Sequence, residues 1–266
     1  MKYRLWLAGA AFGALLTAQQ SSQQNTWTID ANGHRVDGPS YASFESAQGS
    51  GRVEKAQSIN GRMITVQSTE DKVLRETPQA REVERIIRKY DLTGNPGPPT
   101  KVRIEEIKNP DGSTTIKSTT YEADLNGNYR LFERATTQVR KGETTETHTT
   151  VERADLSGSL QPAERSSSVE RKTANGSQID STTYRRDVSG NFSPARQDVK
   201  QITRSGPNET IDSTHYELDP NGKLTLASRA IDSVKTKPDG SQVTDTEVYS
   251  KFSVGHTADA NADQPR

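Results

Sequence analysis

Cysteine is absent from this chain of 266 residues, which excludes disulfides, thiol nucleophiles and cysteine metal ligands. Aromatic residues are scarce at 6%, and hydrophobic residues make up only 29% of the sequence. Such values approach those of disordered chains, so any packed core must be thin. We therefore expect backbone hydrogen bonds to carry much of the stability.

An excess of charge is also missing. The 35 basic and 35 acidic residues give a formal net charge of zero. Without a net basic field there are few counterions to release on binding a polyanion, so no nucleic-acid partner is predicted.

Long hydrophobic runs are missing everywhere except near the N-terminus. There, Lys2 and Arg4 precede an uncharged apolar run over residues 5–16, and Thr17 and Ala18 end it. This pattern predicts a secretory signal peptide at residues 1–18, with an uncleaved anchor as the alternative. We expect an exported protein of a Gram-negative bacterium, in the periplasm, at the outer surface or outside the cell. No membrane span is expected after cleavage.

Glycine-centred turns are what this sequence has in abundance. Ten glycines from Gly94 to Gly240 recur at nearly regular intervals. Alternate turns share the pattern Asp-x-Thr/Asn/Ser-Gly, and the repeat unit therefore spans about 32 residues. The five clearest copies occupy residues 91–94, 124–127, 155–158, 187–190 and 219–222.

The segments between turns predict strands. They are rich in Thr, Val, Ile, Tyr and Ser, and a glycine or proline turn bounds each of them. Consecutive strands joined by short turns normally pair with each other, so we predict an all-β, antiparallel up-and-down meander of about eleven long strands. An open, curled, single-layer sheet needs the smallest hydrophobic core, so we favour it. A closed barrel is the alternative.

The domain boundaries follow from the same pattern. Residues 19–51 form a polar N-terminal segment with one candidate hairpin at 27–33, and residues 52–254 form the repeat domain. A hairpin is expected around Asn60, and residues 76–90 are read as a strand in preference to a helix. Residues 255–266 are expected to be a disordered tail.

The turn chemistry predicts the strand register. Residues 219–223 fit a type I turn followed by a glycine with positive φ. Leu218 then faces Leu224, and Tyr216 faces Leu226. The same count sets Ala123 opposite Tyr129, Tyr121 opposite Leu131, Arg186 opposite Phe192 and Tyr184 opposite Pro194.

Simple alternation extends this apolar face along the strands. Leu224, Leu226, Ala230 and Val234 share one parity, as do Tyr129, Leu131, Ala135 and Val139. Two further valines, Val169 and Val199, are out of phase with their turns. A β-bulge in each of those strands would restore the phase, whereas an unfaithful repeat would leave it broken.

The step Tyr-x-x-Asp-x-x-Gly, found at residues 121–127, 184–190 and 216–222, resembles the YD repeats of large exported bacterial shell and toxin proteins. The resemblance covers residues 90–252. It implies an exported β-hairpin array and supplies no catalytic residues.

Tyrosines that recur once per repeat are the candidate ligand surface. Tyr121, Tyr184 and Tyr216 on alternate strands would lie ~9–10 Å apart. With Arg130, Arg185 and Arg186 beside them, they could hold a cell-envelope polysaccharide, peptidoglycan or an extended segment of another envelope protein. The alternative is that the tyrosines cover the thin apolar stripe of the sheet.

Catalytic motifs are lacking. No Gly-x-Ser-x-Gly elbow or phosphate loop occurs, and the four histidines show no metal-ligand spacing, although Glu146 and His148 share a strand face. The turn aspartates suggest calcium, but we expect them to accept backbone N–H groups instead. We thus expect no cofactor or metal.

The favoured function is a non-catalytic structural or interaction scaffold. A carbohydrate-binding module, an enzyme of unknown type and a wholly disordered chain are the alternatives.

Overall fold

A computed structural model describes residues 21–30, 32–45, 52–60, 62–124, 126–219 and 221–250. The predicted signal peptide at 1–18 and the predicted tail at 255–266 lie outside these residues. Every regular element in the described part is a β-strand. None of it forms a helix long and apolar enough to cross a membrane.

Sixteen strands, numbered in chain order, make one sheet. They are β1 Ser21–Ile29, β2 Arg35–Asp37, β3 Tyr41–Glu45, β4 Arg52–Ile59, β5 Arg62–Glu76, β6 Ala80–Lys89, β7 Thr100–Lys108, β8 Thr114–Ala123, β9 Tyr129–Lys141, β10 Thr144–Ala154, β11 Leu160–Thr173, β12 Gly176–Arg186, β13 Phe192–Ser205, β14 Asn208–Leu218, β15 Leu224–Thr236 and β16 Gln242–Ser250.

The sheet closes on itself. From β3 to β16 each strand pairs antiparallel with the next. β1 pairs with β3 on one side and runs parallel to β16 on the other, from Ser22 opposite Gln242 to Ile29 opposite Tyr249. The ring therefore contains fifteen strands, and the short β2 pairs only with the end of β1.

The predicted antiparallel meander is confirmed, whereas the predicted open sheet of eleven strands is wrong. The eleven expected strands correspond to β6–β16, and β6 is a strand, as preferred. Four further strands that precede residue 77, namely β1, β3, β4 and β5, complete the ring. The structure is therefore the closed barrel, which was the alternative to the open sheet. Closure removes the two edges that an open sheet would expose to other chains.

The turns have the predicted geometry. In the Asp219 turn, the Gly222 N–H donates to the Asp219 carbonyl at 3.0 Å, and the Asp219 N–H donates to the Lys223 carbonyl at 2.8 Å. Gly222 has φ 78°. This backbone conformation is unfavourable for any residue that has a Cβ atom. All four Asp-x-x-Gly hairpins from β8 to β15 repeat this arrangement, and the predicted pairs in three of them are confirmed.

Cross-strand pairing divides the side chains between two faces. Seven of the nine buried strand residues lie on one face, among them Val102, Ala135 and Ser177. Burial also lowers the pKa of Lys55 and of Lys200, both on this face. Side chains crowd together on the concave side of a closed sheet, so we call this the inner face. The opposite face, which carries Tyr121, Tyr184 and Tyr216, is the outer face.

A β-bulge recurs five residues after the turn glycine in five strands. The unpaired residues are Val66, Phe132, Ala163, Ala195 and Ala227. Each extra residue inverts the alternation of its strand. Of the two alternatives for the strands of Val169 and Val199, the structure therefore has the β-bulge, and both valines lie on the outer face.

The same bulges make the predicted continuous apolar faces of the other strands wrong. Leu131 and Leu226 are on the outer face, but Ala135 and Val234, beyond the bulge, are on the inner face. In β9 and β15 the residues of the predicted apolar face thus lie outside near the Asp turn and inside farther from it. We call the end of the barrel with the Asp turns the Asp rim and the opposite end the far rim.

Candidate functional site

The three repeated tyrosines lie at equivalent positions on the outer face near the Asp rim. Each precedes its turn aspartate by three residues, and each faces an apolar residue of the next strand: Leu131, Pro194 or Leu226. The structure therefore brings them to one level of the barrel wall.

Their spacing is uneven. Tyr184 on β12 and Tyr216 on β14 are two strands apart, or ~10 Å at the usual strand separation. Tyr121 on β8 is four strands from Tyr184, about 19 Å by the same measure. Glu152 of β10 occupies the equivalent position between them. The expected even row of tyrosines is therefore not what the structure has.

The three predicted arginines do not share a face. Arg186 lies on the outer face, where its Nε donates to the Gly190 carbonyl at 3.4 Å. Arg185 lies on the inner face, with its Nε 3.5 Å from Glu164 Oε2. Arg130 is also on the inner face, 3.9 Å from Asp124 Oδ2. Only Arg186 can therefore join a ligand surface with the tyrosines.

A shallow hollow on the outer face holds an arginine that the sequence analysis missed. Arg165 is paired directly with Tyr184 across β11 and β12, and its guanidinium lies over the Phe192 ring at 4.2 Å from the centroid. His148 and Ser167 also border the hollow, which has a volume of about 340 Å³. The two-residue turn between Thr173 and Gly176 sets this pairing, because the register of β11 against β12 runs from that turn to Arg165 without a shift.

Two more cation–aromatic clusters lie near the Asp rim. Lys101, paired with Tyr121, has its Nζ 4.5 Å from the centroid of the Tyr129 ring. Arg35 of β2 lies 4.0 Å from the Trp27 ring centroid. Aromatic faces beside cationic side chains provide both stacking surface and hydrogen-bond donors to a polar ligand.

The inner face carries a charged network on β13 and β14. Arg196 Nε donates to Asp198 Oδ2 at 2.5 Å, and Asp198 Oδ1 lies 2.6 Å from His215 Nδ1. The other histidine nitrogen, Nε2, is 3.0 Å from Glu217 Oε1. Each nitrogen of the His215 ring therefore faces a carboxylate.

The network continues along the inner wall to the closing strand. Desolvation lowers the pKa of Lys200, while the carboxylates of Asp198 and Asp232 favour its charged form. Asp232 accepts a hydrogen bond from Thr246 Oγ1 at 2.7 Å, and Gln24 of β1 donates to that hydroxyl at 3.2 Å. Polar side chains thus connect β13 to β1 across the seam of the barrel.

The spacing of Asp198 and His215 in the sequence did not predict that the two side chains meet. They meet because the turn between Ser205 and Asn208 fixes the register of β13 against β14. Glu146 and His148 do share the outer face of β10, as expected. Within the described ranges, however, no three His, Asp or Glu residues converge as a metal site would require.

The turn aspartates serve the turns themselves. Asp124 Oδ1 accepts the backbone N–H groups of Asn126 and Asn128, each at 2.9 Å. These bonds favour the carboxylate, and the pKa of Asp124 is lowered, chiefly by the Asn128 N–H. The expectation that these aspartates accept backbone N–H groups is confirmed.

Comparison of the chain with known protein families, with curated proteins and with solved structures finds no match. The site is therefore interpreted from its own geometry.

Proposed function

We propose that this protein is a non-catalytic structural or interaction scaffold, exported from the cell. The observation that carries the proposal is the unbroken hairpin series. From β7 to β16 every connection is a turn of two to five residues, so no insertion among these strands builds a deep pocket. Side chains displayed on the barrel wall are then the means of contact with partners in the cell envelope.

The strongest competing interpretation is an enzyme that uses the inner network. His215, held by Asp198, is the one described histidine placed for acid–base work. The test is turnover of chromogenic ester, phosphate and glycoside substrates by the purified barrel. We expect the rates to equal those of His215→Gln. Turnover that this substitution abolishes would contradict a non-catalytic scaffold.

We propose as a second function that the outer hollow binds an extended envelope glycan. The specific observation is the juxtaposition of Arg165, Phe192 and Tyr184, which together offer two ring faces and a guanidinium. Sugar rings present apolar C–H faces to aromatic side chains and hydroxyls to charged donors. Tyr216, two strands away, would extend the contact by one further ring.

Retention on immobilised peptidoglycan and neutral polysaccharides tests this second proposal. Tyr184→Ala and Phe192→Ala should each weaken retention about tenfold, with a smaller loss for Tyr216→Ala. Tyr121→Ala should change little, because that ring is ~19 Å from Tyr184. Tyr41→Ala, an aromatic substitution on the inner face, is the matched control. Retention of Tyr184→Ala equal to that of the parent would contradict glycan binding at the hollow.

A further inference from the structure

One guanidinium and several neutral polar groups line the hollow beside Tyr184. Arg165 supplies the guanidinium, His148 supplies an imidazole, and Thr150, Ser167 and Tyr184 supply hydroxyls. Among the described residues that border the hollow there is no Asp or Glu. A ligand in the hollow therefore meets a positive charge without a carboxylate in the lining.

The guanidinium of Arg165 is available to a ligand. The side chain is exposed, and its guanidinium lies over the Phe192 ring. Within the described part of the chain, no ion pair joins it to a carboxylate. A ring face attracts a cation but takes up few of the N–H donors of a guanidinium. These donors can therefore bind an anionic group of a ligand.

The carboxylates on the surrounding wall have arginine partners of their own. The outer face of β9–β12 carries five arginines and three carboxylates. Two of the arginines are Arg165 and Arg186, and the latter donates to the Gly190 carbonyl. The other three stand beside the carboxylates: Arg134 opposite Glu152, Arg140 opposite Glu146, and Arg171 with its Nη1 2.5 Å from Asp180 Oδ2. This part of the wall thus has an excess of positive charge, and Arg165 places some of it in the hollow.

The nearest turn aspartates, Asp155 and Asp187, add negative charge at the Asp rim. Asp187 follows Tyr184 by three residues, or ~10 Å along the strand, and Asp155 follows Thr150 by five residues, or ~16 Å. The Debye length at physiological salt is about 8 Å, so exposed charges at these distances interact weakly. The aspartates therefore reduce the attraction of an anion to Arg165 without cancelling it.

We propose that the hollow selects a glycan that carries carboxylates, such as a chain of uronic acid residues. The proposal rests on glycan binding at the hollow, and it adds that Arg165 binds a sugar carboxylate. The planar guanidinium matches a carboxylate through two parallel N–H donors. Tyr184 and Phe192 supply ring surface for the C–H groups of the sugar, and Thr150 and Ser167 supply hydroxyls for its polar groups.

Polygalacturonate and its methyl ester test the contribution of the carboxylate. The two polymers share one sugar backbone, and esterification removes the negative charge. Immobilised polygalacturonate should retain the parent about fivefold more strongly than the ester does, the effect of one exposed ion pair. Arg165→Gln should bind the two polymers about equally, and its retention on the ester should match that of the parent.

The matched control is Arg171→Gln, which removes one positive charge from the same strand and the same face. Arg171 lies toward the far rim, six residues or ~20 Å from Arg165. This variant should keep the preference for polygalacturonate. Tyr184→Ala should bind both polymers more weakly, because its ring contacts the sugar backbone that they share. Circular dichroism should show that all three variants keep the β-sheet spectrum of the parent.

Three results would overturn the carboxylate site: equal retention of the parent on the two polymers, an unchanged preference in Arg165→Gln, or an equal loss of preference in Arg171→Gln. The last result would indicate general attraction to a basic wall. Weaker retention of Tyr184→Ala on the ester would still support glycan binding at the hollow. If the parent binds neither polymer, the carboxylate site is wrong, and retention on peptidoglycan decides the proposed glycan function separately.

Discussion

Gly176 lies where the backbones of β12 and β13 approach each other closely. A Cβ built there would stand 1.8 Å from the Ile202 carbonyl oxygen and 2.8 Å from its carbon. Both atoms belong to the backbone, so no side chain can rotate away, and the strands themselves must separate.

Gly176→Ala should therefore lower the free energy of unfolding by about 1–3 kcal/mol. Gly142→Ala is the control, because a Cβ there meets only the Thr144 carbonyl oxygen at an ordinary 3.7 Å. Urea unfolding followed by circular dichroism gives both values. Equal losses in the two variants would show that the close approach does not exist.

The turn aspartates give the barrel a dependence on acid pH. Hydrogen bonds from Ser157 and Ser159 lower the pKa of Asp155 from its ordinary value of 3.8, and turn hydrogen bonds lower the pKa values of Asp91 and Asp124 in the same direction. A carboxyl whose pKa is lower in the folded state stabilises the fold above pH ~4, and this stabilisation is lost as the pH falls further.

Asp91→Asn/Asp124→Asn/Asp155→Asn should thus lose less stability than the parent between pH 5 and pH 2. The amide oxygen still accepts backbone N–H groups, but it does not titrate. The urea midpoint at each pH is the measurement. A pH dependence identical to that of the parent would exclude these carboxyls as its source.

Single residues show where sequence reasoning succeeds and where it stops. The turn glycines and aspartates act within five residues of each other, so their geometry could be predicted. Arg165 and Asp198 acquire their partners across strands, and those pairings depend on the registers set by the turns after Thr173 and after Ser205. Local chemistry at the residue itself carries no sign of either.

Among the elements, the bulged strands decide which side chains face the interior. Ala195 is the unpaired residue of β13, and the strand beyond it directs Arg196, Asp198 and Lys200 inward. Without that extra residue, these charges would exchange faces with their neighbours, because the period of a strand is two.

Deleting Ala195 should lower the free energy of unfolding by about 2–4 kcal/mol or prevent folding, since the strand residues on one side of the deletion must exchange faces and charged groups lose their partners across β12 and β13. Ala195→Gly keeps the residue count and should cost no more than about 1 kcal/mol. Thermal and urea unfolding measure the stability of the deletion variant and of Ala195→Gly. A deletion as mild as the substitution would mean that the bulge does not fix the register.

The hairpins were predictable down to paired residues near each turn, as for Tyr216 with Leu226. The bulges were predicted only where an out-of-phase valine revealed them. In β9 and β15 an unbroken alternation of apolar residues concealed the bulge, because small Ala and Val side chains fit either face. The switch of the apolar side from outside to inside therefore could not be derived from parity.

For the whole molecule, closure depends on two strands more than two hundred residues apart. β1 is the polar sequence SSQQNTWTI, which shows no regular apolar alternation. Its pairing with β16 is parallel, and no turn joins the two strands. No local signal could have predicted it, so the sequence indicated a meander without indicating that it closes.

The seam is held by side chains as well as by the backbone. Asn25 Nδ2 donates to Asp245 Oδ1 at 2.9 Å on the outer face, and Gln24 reaches Thr246 on the inner face. Neighbouring strands lie about 4.8 Å apart, a separation that a disulfide spans without distortion. The absence of native cysteines makes any engineered pair unambiguous.

Oxidation of Asn25→Cys/Asp245→Cys is the most direct measurement of a closed barrel. For a closed barrel we expect near-complete intramolecular disulfide formation, seen as a mobility shift on non-reducing gels, with an unchanged β-sheet spectrum. Asn25→Cys/Thr210→Cys, whose thiols lie two strands farther apart in the same row, should not form the bond. Free thiols in the first variant, or cross-links only between molecules, would contradict closure.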